Sequence, residues 1–396
     1  MFLQGSKQNN ARMAAIIMAL LTVSFIESWP LGFAKYLAIV LSIFMIHKNA
    51  GWEYEKSLCL PFVFCFVLFT STCLMQNTTF PQKMISVIIY FVLLSWVFFG
   101  GKLISTPLVL YKMAEGIFWP TVLGMILTRN QSLAQLENVN NFRKRIWGGF
   151  SHANTLGSIC VSGIILILCY LILSKRENAK KIYKMKSTIM VIVFSAFLYL
   201  SDSRTSVMML FTFCGSWLTI CCLRKFEKKT RVLILLIIVS GLLGIGYWFI
   251  YTYAIGDTTF LMRYQTIEKT NISGLLLWVG SGMIGASSSV ETSDFSQDIN
   301  LEIAWIMILY KNGVIGVILY IFIFLYTVVY ELLNPYKDFY YKGLFWAVFL
   351  FVIVGSMGEA FIAAISHVIA MVGFVLLSFF SNPPKNPLAV EKTERV

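Results

Sequence analysis

Arg143, Arg145, Arg204 and Arg263, with His152, Asp202, Asp298, Glu302 and Glu359, are the residues whose types and spacing suit chemistry on an anionic, hydroxyl-bearing substrate. A guanidinium offers a rigid fork of donors matched to phosphate oxygens. An imidazole titrates near neutral pH and accepts, donates or relays a proton. A carboxylate accepts from a substrate hydroxyl or an arginine. Arg143, Lys144 and Arg145 lead into WGGFSHANTLG at 147–157, where His152 and Asn154 open an apolar run and Gly148, Gly149 and Gly157 permit close backbone approach. The plain alternative is a solvated basic face with a hydrogen-bonded structural histidine. Ser201-Asp202-Ser203-Arg204-Thr205-Ser206 joins two apolar runs by so short a turn that Arg204 lies near the hydrocarbon boundary, a costly place unless it meets an anion. Asp202 could equally serve only to pair with it. Farther on, Arg263 precedes ISGLLLWVGSGMIG at 272–285, which contains Gly280 and Gly282 and is too short to span. Glu291, Asp294, Asp298 and Glu302 form an acidic patch, and Asp298, Glu302 and Trp305 share one face of an amphipathic helix. Glu359 stands in the GSMGEAF break at 355–361, and Lys112 with Glu115 reads as an internal structural ion pair.

These residues must be positioned by elements built for lipid. Of 396 residues 58% are hydrophobic and 13% charged, against about 25% charged in an ordinary soluble chain, so the polar surface cannot coat a soluble particle. The expected fold class is all-α, a polytopic membrane protein. Candidate spans are 12–27, 31–47, 58–75, 84–100, 105–127, 153–174, 187–201, 205–223, 232–252, 313–332, 342–356 and 360–380, giving about 12 transmembrane helices, or 11. The chain reads as one membrane domain, 1–396, with a large external loop at 253–312 containing short helices. The first apolar run lacks a convincing cleavage site and reads as a retained helix.

The net charge of +13 serves orientation. Two short loops, 175–186 and 224–231, hold eleven basic residues against two acidic ones, which sets them in the cytoplasm together with both termini. No basic soluble domain exists to bind nucleic acid. The eight cysteines lie in or beside apolar runs without a CxxC spacing, so they read as small hydrophobes rather than a zinc site or a disulfide framework. The segments 128–152, 201–205, 253–312 and 357–359 then share the external side, where the unusual residues collect.

In that order and on that side, the motifs resemble the O-antigen ligase and polysaccharide polymerase superfamily. The resemblance rests on GGFSHANTLG at 148–157, SDSRTS at 201–206, Arg263, GSGMIG at 280–285, NGVIGVI at 312–318 and the acidic break at Glu359, over roughly residues 140–362. It implies a bacterial plasma-membrane protein with its site facing outward, acting on undecaprenyl-diphosphate-linked oligosaccharides among membrane lipids. A chain-length regulator and a flippase of the same pathway are the implied protein partners, and no metal or other cofactor is implied. The reaction implied is inverting transfer of a growing glycan from undecaprenyl diphosphate to the non-reducing end of another lipid-linked repeat. Ligases of the superfamily typically carry a histidine late in the large loop; no histidine lies between His152 and His367 here, which favours the polymerase.

On that reading Arg204 and Arg263, then Arg143 or Arg145, hold the diphosphate. His152 is the first choice of base, with Asp298, Glu302 and Glu359 in reserve. Asn154, Asp202, Gly280 and Gly282 line the substrate. The rival from another class is a transporter or flippase, for which external arginines form a loading site.

Overall fold

The computed structural model describes residues 2–27, 29–50, 56–76, 78–130, 145–150, 152–174, 181–223, 274–282, 304–333, 339–358 and 367–382. They form an all-α polytopic membrane protein. Its helices are α1 (Phe2–Val23), α2 (Ala34–Ala50), α3 (Lys56–Met75), α4 (Phe80–Phe99, continued by a 3-10 turn at Gly100–Leu103), α5 (Pro107–Leu127) and α6 (Ala153–Ser174). There follow α7 (Lys181–Ser201), α8 (Arg204–Leu223), the short α9 (Leu275–Val279), α10 (Ala304–Leu333), α11 (Phe339–Gly358) and α12 (Val368–Ser381). The sole extended pairing among the described residues is an isolated bridge between Ile26 and Phe150.

Seven of these helices are long and apolar enough to cross a bilayer: Ser57–Met75, Phe80–Leu103, Ala153–Ser174, Lys181–Ser201, Arg204–Leu223, Met307–Leu333 and Phe339–Met357. The count of about twelve read from the sequence is therefore corrected to seven among the described residues. Four of the expected spans fail, each for its own reason. The first half of α1 is polar, with Gln4, Lys7, Gln8, Asn9, Asn10 and Arg12 on it. α2 has 17 residues, about 25 Å of helix against roughly 30 Å of hydrocarbon. α5 carries Lys112, Glu115 and two prolines. α12 has 14 residues, about 21 Å. The expected span 232–252 lies outside the described residues, as does most of the expected loop 253–312; residues 304–312 of that loop are helical.

Burial ranks the helices. The apolar window of α6 is 83% buried and that of α7 or α8 only 22%, so α6 runs through the protein centre while α7 and α8 turn most of their surface outward. All 14 residues of α12 are buried, so this apolar helix belongs to the core despite its length. Helices approach closely where side chains are small: a Cβ on Gly157 of α6 would stand 2.4 Å from the Cβ of Ser203, at the head of α8.

The alternation of directions puts one set of ends together. α1, α3, α5 and α7 finish at the end where α2, α4, α6, α8 and α12 begin. Contacts between distant segments agree: Phe25 meets His367 there, while at the opposite end Gly101 N–H donates to Ser378 Oγ at 2.9 Å. Tyr326, late in α10, donates to the Ser57 carbonyl at that opposite end, and Trp305, early in α10, donates to Ser356 at the first.

Candidate functional site

The first end carries two groups of polar residues built on different helices. One is formed by the approach to α6 and the α7–α8 turn. Residues 145–150 cross the ends of two helices: Ile146 N–H donates to the Leu200 carbonyl at 3.1 Å, and Glu27 N–H donates to the Gly149 carbonyl at 2.9 Å. Asp202 turns the chain in a left-handed conformation, φ 45°, which Asp tolerates better than most residues. Its Oδ2 accepts from Arg145 Nε at 3.5 Å. The pair is long and half exposed, with the Asp202 side chain 46% accessible, so it contributes little stability and leaves the guanidinium able to change partners. Ser203 and Ser206 are buried and share a hydrogen bond of 2.9 Å, closing the turn beneath.

Arg204 opens α8 and is exposed. His152 is exposed just before α6, its ring 5.9 Å from that of Trp147, and its carbonyl accepts from the Thr155 and Leu156 N–H groups. Asn154 is half-buried in the first turn of α6. Arg145, His152, Asn154, Asp202 and Arg204 thus stand on adjoining elements, joined by the Gly157–Ser203 approach.

The second group surrounds a break in α10. Gly313 has φ 67° and ψ −171°, so the helix is interrupted between its outer piece and the long piece that follows. The C-terminal end of α9 seats in the break. A Cβ on Gly280 would come within 2.3 Å of the Lys311 and Asn312 backbone, and one on Gly313 within 2.3 Å of the Trp278 carbonyl. Both glycines have positive φ, so neither position accepts a side chain in conformation or in space. Ser281 N–H and Gly282 N–H donate to the Tyr310 and Lys311 carbonyls, each at 2.9 Å, taking acceptors that the break frees from the helix ladder. Gln76, at the end of α3, donates to the Val279 carbonyl at 2.7 Å and to that of Lys311 at 3.1 Å. Gly280 and Gly282 therefore do identifiable structural work against α3 and α10.

Beneath the break lie polar side chains that the sequence reading passed over. Asn312 is 1% exposed and stands beside the Tyr90 hydroxyl, and the Tyr320 hydroxyl and the Gln76 Oε1 are buried and unbonded. Each such group is costly in a medium without water. The sequence signal was Lys311-Asn312-Gly313, a polar triplet with a turn-forming Asn-Gly inside an apolar run. His367, at the head of α12, was also missed. Burial, then the charges of Lys35 and Lys311, hold its imidazole down at about 4, so it is neutral at physiological pH.

Arg143, Arg263, Asp298, Glu302 and Glu359 lie outside the described residues. Lys112 and Glu115 form their ion pair within α5, away from this end. All eight cysteines are free thiols, four of them fully buried.

No protein-family model matches this chain, and no curated protein matches it.

Proposed function

We propose that this chain is a membrane glycosyltransferase, a repeat-unit polymerase that moves a glycan from undecaprenyl diphosphate to a hydroxyl of a second lipid-linked repeat. The observation that carries the reading is the gathering of Arg145, Asp202, Arg204, His152 and Asn154 on adjoining elements at one end of an all-α membrane bundle. Lys7, Arg12, Lys48, Lys56, Lys102, Lys181, Lys184, Lys186 and Lys342 lie on elements or turns at the opposite end, and this excess supports an arginine-bearing end that faces outward. A lipid-linked substrate needs a site at that boundary, because only its head group leaves the hydrocarbon.

The chemistry follows from the leaving group. An acceptor hydroxyl attacks the anomeric carbon from the face opposite the diphosphate, forming one C–O bond as the other breaks with its electron pair. The configuration inverts, and undecaprenyl diphosphate departs as an anion. Arg204 and Arg145 neutralise the charge that builds on its bridging oxygen, and Arg145 reaches it by leaving its loose contact with Asp202. His152 takes the proton of the acceptor hydroxyl. Asn154 and Asp202 orient sugar hydroxyls.

One observation favours a second reading. A spanning helix broken at Gly313 above the buried polar side chains of Asn312, Tyr90 and Tyr320 is the kind of discontinuity that transporters use for a substrate site. A strain lacking the gene separates the readings by its glycans. A lost polymer ladder with a single capped repeat surviving means polymerase. Loss of all capped lipid means a ligase, and build-up of lipid-linked repeats inside the cell means a flippase.

A further inference from the structure

Two side chains near the Arg145–Asp202 pair take no part in the transfer step, Trp147 and Glu27. Trp147 opens a tight turn over residues 147–150, closed by the Phe150 N–H donating to the Trp147 carbonyl at 3.0 Å. Gly148 and Gly149 form its middle with φ 61° and 81°, both in the left-handed region that glycine tolerates. The turn is held on two sides. Ile146 N–H donates to the Leu200 carbonyl just before it. A Cβ on Gly148 would stand 2.3 Å from Met125 Sδ and one on Gly149 2.7 Å from Thr128 Cγ2, so the turn lies hard against the end of α5. The indole on this fixed backbone is 39% exposed, its ring 5.9 Å from that of His152.

Glu27 reaches the same turn from near the start of the chain. Ile26 and Phe150 form an antiparallel bridge, and Glu27 N–H donates to the Gly149 carbonyl at 2.9 Å. Ile26 and Phe150 are each buried and anchor the bridge in the core, while the alternation of an extended pair turns Glu27 the other way, where it is exposed. Its carboxylate belongs to neither ion pair of the described residues, Lys112–Glu115 and Arg145–Asp202. One short turn therefore carries a flat aromatic face and, across a backbone hydrogen bond, a carboxylate, with an imidazole beside them. That combination fits a pyranose. The C–H bonds of one sugar face carry slight positive charge and rest on the electron-rich face of an indole, whereas hydroxyls at the ring edge donate to a carboxylate.

We propose that Trp147 and Glu27 form a pyranose subsite, in which the indole stacks on one sugar residue and the Glu27 carboxylate accepts from its hydroxyls. The inference rests on the glycan-transfer reading and adds to it the residues that hold a sugar next to His152, while Arg145 and Arg204 hold the diphosphate. The subsite recognises the sugar itself, so it binds an oligosaccharide that carries neither lipid nor diphosphate.

The test is binding of a lipid-free sugar. Single lipid-linked repeats are expected in a strain lacking the gene, and mild acid frees their oligosaccharide from the diphosphate. Its binding to the purified full-length protein in neutral detergent is followed by ligand-observed NMR, with no bilayer interface present to engage an exposed tryptophan. The wild type is expected to bind. Trp147→Leu keeps an apolar side chain without the flat face and is expected to weaken binding about fivefold or more, while Trp147→Phe retains most of it. Glu27→Ala leaves the backbone bond to Gly149 in place and is expected to weaken binding at least about tenfold. Tyr199→Leu, which removes an aromatic at the same end that is 83% exposed, is expected to leave binding unchanged. Arg204→Lys is expected to lose transfer and still bind the free sugar, which separates the subsite from the diphosphate chemistry. No binding by the wild type, unchanged binding in Trp147→Leu or Glu27→Ala, or an equal loss in Tyr199→Leu overturns the subsite and leaves the transfer reading standing. A Trp147→Leu protein that melts lower in nanodiscs yet binds the sugar like the wild type makes Trp147 a membrane anchor only, which also overturns it. A deletion strain whose polymer is unaltered overturns the transfer reading and the subsite together. Should Trp147→Leu fail to fold, Glu27→Ala alone decides in the same way.

Discussion

Arg145 and Asp202 hold each other at 3.5 Å across a half-exposed turn, too loosely to matter much for stability. A structural pair would be expected to be shorter and more enclosed, so the looseness is better suited to a guanidinium that changes partners. Arg204→Lys keeps the charge and removes the fork; it is expected to lower polymerisation about 10²–10³-fold, by analogy with losing an oxyanion donor, without lowering the melting temperature. Polymer synthesis by membranes from a complemented deletion strain reads this, and a full rate in the variant removes Arg204 from the diphosphate. His152→Gln is expected to lower the rate about 10²-fold or more. His367 provides a stability test. The unfolded chain takes up this proton at its ordinary value of 6.5, whereas the folded imidazole resists until about 4. The unfolded state therefore binds more protons in that window, and stability falls as pH drops from about 6.5 toward about 4. Melting of the wild type is expected to show this slope and that of His367→Gln to be flatter.

At the scale of elements, the break in α10 is a built feature. Asn-Gly at 312–313 interrupts a helix whose flanks are strongly apolar, and the freed carbonyls of Tyr310 and Lys311 are taken by the turn after α9. Gly280 and Gly313 interlock so closely that either substitution meets backbone, not a yielding side chain. Gly280→Ala is expected to cost about 1–3 kcal/mol from the positive φ alone, with the steric clash added, and to lower the melting temperature in detergent. A variant melting like the wild type means that α9 does not dock on α10. In the sequence Gly280 and Gly282 read as residues lining a substrate; their backbone partners were not legible, because Gln76 and Lys311 are more than two hundred residues apart in sequence. α12 teaches the same lesson: its composition reads as a span, and only the structure shows a helix of 14 residues, short of spanning length and buried throughout.

For the molecule as a whole, orientation decides whether the arginine-bearing end can meet an external substrate. Cys222, exposed near the last turn of α8, lies at the end opposite Asp202. A membrane-impermeant thiol reagent is expected to label Asp202→Cys in intact cells, and to reach Cys222 only after permeabilisation. Labelling in the opposite order turns the site toward the cytoplasm and ends the glycan-transfer reading. Composition and the long continuous apolar runs determined that this is an all-α membrane protein, because so few polar residues cannot coat a soluble surface and an unbroken apolar run satisfies its backbone in lipid as a helix, whereas barrel strands alternate apolar and polar residues. The polar turns near His152 and Asp202 were visible for the same reason, as costly residues at the borders of apolar runs. Only the structure set the helix bounds, and with them which helices are long and apolar enough to cross and which of their faces are buried. Only it seated the turn after α9 in the break of α10 and brought Arg145 to Asp202, since such meetings depend on how elements stack, which no local pattern in the chain encodes.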